Sequence, residues 1–231
     1  MFLTQLQAVI DLQWAEVKKG LFWQHIKQYG VSGQLWQRVL IEIYHYTRHN
    51  SINQAVAASR VDPKQHALLA FCYKHAQEEL GHEGMVVRDL ASIGLNDPEQ
   101  FNASPLPPTE ALIGYLRYVA AELGAIPRLG YSFWAEDSYK HIGPALAIAR
   151  RDLNLEDENM SFFVAHSDID AEHSQVVQRI IEHFVTHEQD QNNVIQIART
   201  TLYLTGKILD AVAEAVQENE SGSLLMTNSV G

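Results

Sequence analysis

The chain has 231 residues, 46% of them hydrophobic, and a formal net charge of −11, which is ample material for one large core or two small ones. The acidic balance, with no basic stripe, argues against nucleic acid as the main partner, and the single cysteine, Cys72, excludes an internal disulfide and any cysteine-rich zinc or iron–sulfur site. No apolar run approaches a membrane span and the N-terminus lacks a basic segment followed by an apolar signal core, so a cytoplasmic protein that binds no membrane is expected.

Helical periodicity dominates, and nowhere do residues alternate in the two-residue rhythm of a strand. Residues 4–28 read as one or two amphipathic helices broken near Gly20. Tyr29–Gly33 is a turn, followed by a helix to about His49 and a short one over Ile52–Ala58. Asp62-Pro63 has the form of an N-cap with proline at the first helical position, predicting one long helix that ends at Gly94. Residues 95–108, with four prolines, are a loop. A helix restarts at Thr109 and runs to Leu123; Gly124 and Pro127 imply a kink before a helix over 127–142, and Gly143-Pro144 begins a short one. An acidic turn at 154–159 precedes a long helix to His183, and a last helix covers 190–217. These features predict an all-α, single-domain bundle of seven to nine helices over residues 1–217, with a disordered tail at 218–231.

The stretch His166-Ser-Asp-Ile-Asp170-Ala-Glu-His173 carries the clearest chemistry. At about 100° per residue, His166, Asp170 and His173 share one sector with Phe162, Phe163, Val177 and Ile181. Polar groups in a core-facing stripe need a partner, and a metal ion is the most economical one. A lone histidine on an apolar face is more often a satisfied core residue, so the reading needs further ligands on other helices.

Three groups qualify. In His75-Ala-Gln-Glu78-Glu79-Leu-Gly-His82, the E-x-x-H step Glu79–His82 lies in a stripe with Leu68, Cys72 and Val86, and His75 falls in the same stripe. Glu42, His45, Tyr46 and His49 share a face with Leu35 and Val39; Glu42 is a candidate ligand, while His45 and Tyr46 are candidate catalytic or pocket residues. Glu136 shares a face with Ala125, Leu129, Ser132, Gly143 and Ala147, where small neighbours either leave room for a substrate or permit close helix packing. Glu122 is the rival carboxylate, though a helix-end charge facing water explains it equally. Glu42, Glu79, Glu136 and Asp170 would carry four negative charges, which two divalent cations balance and which would otherwise repel. Carboxylate and imidazole donors without thiolate suit iron, or manganese, better than structural zinc.

With these residues the sequence resembles the haem-oxygenase-like di-iron oxidases, the iron-containing redox enzymes of the TenA/PqqC-like superfamily. That family's pattern is a glutamate on an early helix, an E-L-G-H-like step, a lone glutamate and H-x-x-x-D-x-x-H. Here it is matched by Glu42, Glu79-Leu-Gly-His82, Glu136 and His166…Asp170…His173, within residues 20–190. Longer spacings in some members leave Glu78 open beside Glu79. The resemblance implies a helical bundle of haem-oxygenase type, two Fe(II) ions held by those seven residues, and O₂ as co-substrate. It further implies decarboxylation, N-oxygenation or C–C cleavage of a small, partly apolar metabolite in a pocket that includes Tyr46, Phe133 and Tyr139. Arg48, Arg128 and Lys140 are candidates to hold a substrate carboxylate, but each reads more simply as a surface charge. The expected partners are the small-molecule substrate and a second copy of the chain in a homodimer.

The alternatives are a thiaminase with Cys72 as nucleophile, a cofactorless oxidase, a haem protein using His25, and a non-enzymatic helical interaction protein. Each leaves the buried carboxylate and histidine set without a purpose.

Overall fold

A computed structural model describes the backbone of residues 2–227 and the side chains of residues 2–165 and 173–218. All regular structure among the described residues is helical. The chain opens with α1 (Phe2–Val17), α2 (Leu21–Tyr29), α3 (Gly33–Thr47) and α4 (Asn50–Ala58). Then come α5 (His66–Glu78), α6 (Glu83–Ser92), a short α7 (Pro98–Asn102) inside the expected loop, and α8 (Pro107–Tyr118). A π turn (Val119–Leu123) leads into α9 (Ala125–Ala135), followed by α10 (Tyr139–Leu153), α11 (Ser161–Phe184) and α12 (Glu188–Thr227).

Two expected helices are divided. Asp62 does not start a helix: its carboxylate accepts from Lys64 N at 2.9 Å to close a turn, and α5 begins at His66. The same predicted helix breaks again between Glu78 and Glu83, where Gly81 takes φ +88°, a left-handed value that glycine adopts without steric cost. The helix predicted over 127–142 instead stops after Ala135, and α10 passes through Gly143-Pro144. Gly143 and Ala147 therefore do not extend the face of Glu136. The last helix is longer than its expected 190–217 span, its backbone continuing to Thr227; the side chains from 219 on, and residues 228–231, lie outside the described residues.

The long helix α12 packs against α1, α2, α3, α8 and α9. Gly130 makes the α9 approach possible: a Cβ there would stand 2.1 Å from Val194 O. The buried apolar side chains form two clusters, one around Trp14, Leu68, Leu129 and Val194, the other around Leu35, Leu40, Leu90 and Phe163.

The start of α11 is fixed by a residue far away in sequence. Asp89, fully buried on α6, accepts from Ser161 N at 3.0 Å, Phe162 N at 2.9 Å and Ser161 Oγ. It thus satisfies two of the backbone donors that a helix N-terminus leaves open, and places negative charge where the helix dipole favours it. This ties α11, and with it His173, to the α5–α6 segment. No described helix is long and apolar enough to cross a membrane.

Candidate metal centre

His75 lies on α5, Glu136 directly follows α9, and His173 lies on α11. Each offers one donor atom within 4.8 Å of the others. His75 Nε2 is 2.9 Å from Glu136 Oε1, and His173 Nδ1 is 3.4 Å from Glu136 Oε2. Glu79 Oε1 stands 3.9 Å from His75 Nε2 and 3.7 Å from His82 Nδ1, while Asn50 Nδ2 reaches Glu79 Oε2 at 3.3 Å. Glu78 borders the group: its Oε2 is 3.4 Å from His173 Nε2, and Lys74 Nζ is 3.2 Å from its other oxygen.

Local structure explains why these side chains converge. His75 and Glu79 are one turn apart on the inner face of α5, and Phe71 stacks on the His75 ring with centroids 5.5 Å apart. Glu79 and Glu136 are the C-caps of α5 and α9. Two carboxylates thus sit at the negative ends of helix dipoles, positions that favour cations. Burial works to raise the Glu136 carboxyl, but hydrogen bonds from His173 and His75 and the charge of both outweigh it and bring it down to about 2. In turn the hydrogen bond to Glu136 raises His173, against the opposing effect of burial.

The group suits a divalent cation. Its donors are mixed imidazole and carboxylate, the ligand type of carboxylate-bridged iron centres. Donors across an ion with bonds of about 2.1 Å are about 4.2 Å apart, close to the spread found here. His75 Nδ1 is buried without a hydrogen-bond partner; Nε2 faces an ionised carboxylate, which only accepts, so Nε2 carries the proton.

Of the residues singled out from sequence, Glu136 and His173 fall in the three-residue cluster, with Glu79 and His82 beside it. The side chains of His166 and Asp170 lie outside the described residues. Glu42 is not brought to the cluster: fully buried, its oxygens meet Arg38 Nη2 at 3.1 Å and Leu106 N at 3.0 Å. The α3 face divides accordingly, with Leu35, Val39, Ile43 and Tyr46, joined by Asn50 at the start of α4, lining a cavity and Glu42 and His45 turned one sector away. His45 is buried against Tyr44, with its pKa brought down to about 4 by burial and by Arg48, Arg38 and His49. His75 was in the predicted stripe without a ligand role; its i, i+4 relation to Glu79 was the available signal. Glu122 is exposed. His25 meets Gln217 and Tyr29 rather than the cluster.

The cavity, of about 190 Å³, runs from His75, Glu79 and Glu136 into the apolar interior, between Tyr46, Trp36, Leu35 and Ile142. Tyr139 also lines it; Phe133 is buried but does not. Burial, with Tyr131 and Glu79, pushes the Tyr46 phenol up. Tyr131 is pushed up to about 12, chiefly by burial, against the lowering effect of Arg128.

A family model described as iron-containing redox enzyme matches residues 37–206. No curated protein matches the chain. Among solved structures, a domain of unknown function with a haem-oxygenase-like fold from Shewanella denitrificans is 36% identical, with TM-score 0.90 over 95% of each chain. A TenA homologue from Pseudomonas syringae is 15% identical, with TM-score 0.74 over 93% of each chain. A CADD-like protein of unknown function from Nostoc punctiforme is 12% identical, with TM-score 0.70 over 92% of this chain and 97% of that one. The last two share the fold. With a family match over most of its length, and a cluster of imidazole and carboxylate donors at the head of its cavity, this chain belongs to the iron-containing redox enzymes of haem-oxygenase-like fold.

Proposed function

We propose that the protein is a non-haem di-iron oxidase or oxygenase that uses O₂ to oxidise a small, partly apolar metabolite. The observation that carries this reading is the His75–Glu136–His173 cluster, two of its members buried and His173 partly so, at the polar end of a mostly apolar cavity. The ligand set in this reading is Glu79, His82, Glu136 and His173, joined by His166 and Asp170 from the sequence pattern and by His75 from the geometry. Glu42 we assign to holding Arg38 and the Leu106 turn. Manganese suits the same donors.

When bound, the two ferrous ions supply the electrons for O₂ activation. The chain's own residues set the conditions. The apolar walls exclude water from the reacting end. Tyr46 and Tyr131, both raised, stay protonated at neutral pH and present phenol hydrogens as donors rather than as charges. Asn50 fixes the orientation of Glu79.

Cys72 gives the thiaminase reading no support. Its thiol is fully buried and pushed up to about 11, chiefly by burial, whereas a nucleophilic cysteine needs its thiolate. The test is O₂ uptake after anaerobic Fe(II) loading. Iron-dependent uptake that survives Cys72→Ser and is lost in Glu136→Gln is expected. Iron-loaded protein that consumes no O₂, or metal-free cleavage of thiamine abolished by Cys72→Ser, would overturn the proposal.

A further inference from the structure

Arg128 reads from sequence as a surface charge, yet it is 2% exposed and lines the cavity. Its Nη1 donates to Gln54 Oε1 and, at 3.1 Å, to Ser132 Oγ. The guanidinium carbon lies 5.5 Å from the Tyr131 ring centroid. Its Nε is buried and has no hydrogen-bond partner among the described residues. Its partners among the described residues are neutral, and a buried cation without a contacting anion is costly. The acidic groups that act on it through space include Glu136 of the three-residue cluster and Glu79 beside it.

Arg128, Ser132 and Glu136 follow at i, i+4 and i+8 along α9 and its cap, on one face, and all three line the cavity. A guanidinium presents donors in a planar fork that matches a carboxylate. Among the described residues Arg128 is the one lysine or arginine that lines the cavity, whose polar end already carries the Glu79 and Glu136 carboxylates and whose remaining walls are mostly apolar, so it matches a monoanion better than a phosphate dianion. The cavity, about 190 Å³, is somewhat larger than the roughly 150 Å³ apolar cavity that admits benzene. Its size therefore suits one aromatic ring or a short alkyl chain.

We infer that Arg128 is a carboxylate-binding subsite, and that the cavity takes a small monocarboxylate whose ring or alkyl body lies against the apolar walls. The inference rests on the cavity being the substrate site of the proposed oxidase, but its test does not depend on iron. All four tryptophans, Trp14, Trp23, Trp36 and Trp134, line the cavity, so intrinsic fluorescence reports its occupancy. The full chain, chelated and separately zinc-loaded, is titrated with 3-phenylpropanoate and with 3-phenylpropanol. In both states the acid is expected to bind at least about tenfold more tightly, as hydrogen bonds to a charged group imply. Arg128→Gln should lower acid affinity to that of the alcohol and leave the alcohol unchanged, and Arg128→Lys should restore part of the preference. Equal binding of acid and alcohol by the parent, binding of neither, or an acid preference that survives Arg128→Gln would each overturn the inference. The comparison within the parent decides the matter even if Arg128→Gln does not fold. Iron binding without acid preference would refute the subsite alone, whereas acid preference without iron binding would refute the oxidase reading alone.

Discussion

At the scale of single residues, Glu136 is the hinge of the site, since both histidines of the cluster meet its two oxygens. In the metal-free protein His173 should titrate above its ordinary 6.5, because Glu136 favours its charged form. The stabilisation from His173 protonation is fully present below about 6.5, its unfolded value, and is lost as pH rises through the raised folded value. The Glu136 contribution is present above its unfolded value near 4.5 and is lost as pH falls toward about 2. Both are present between about 4.5 and 6.5, so the pair is strongest in that window. Imidazole NMR titration checks this: Glu136→Gln should lower the His173 value, and a parent His173 titrating at or below 6.5 would contradict the pairing. Glu136 and His173 were legible in sequence because each interrupts an apolar helical face. His75 was harder to assign, since histidine suits a core as well as a metal. Arg128 was misread because one charged residue in a helix carries no sign of whether water or protein surrounds it.

At the scale of elements, the helix ends matter more than the helices. Glu79 and Glu136 occupy C-caps, and the break after Glu78 that sequence periodicity missed turns on Gly81. Periodicity finds faces, and the faces of α5 and α11 were found. It does not register a one-turn interruption whose flanking helices keep similar apolar patterns. Nor does it register a cap supplied from 72 residues away, as Asp89 supplies Ser161. Asp89→Ala should cost about 2–3 kcal/mol by urea denaturation, since it removes a charged acceptor from two backbone donors and a hydroxyl. The variant should also bind iron more weakly, because α11 loses its anchor to α6. A loss below about 0.5 kcal/mol would show that the start of α11 is held by packing alone.

At the scale of the whole molecule, the candidate ligands come from α5, the α5–α6 break, the end of α9 and α11, which are distant in sequence. Such a site exists only when these elements are docked, so metal binding and folding are linked. The all-α class and the family were legible because the ligand motifs and the helical periodicity agree; the packing on α12 was not, because it depends on close approaches such as Gly130 on Val194. Anaerobic Fe(II) should raise the thermal midpoint of the parent in a concentration-dependent way, and His173→Ala should abolish most of that rise. An equal rise in both would detach the metal from this cluster.

The most direct test of the central claim is iron counting at equilibrium under anaerobic Fe(II), with helical content followed by circular dichroism. Two ferrous ions per parent chain are expected, with the loss of at least one in each of His75→Ala, Glu136→Gln and His173→Ala at near-native helicity. A parent chain that binds no iron, or variants that retain the full complement, would contradict it.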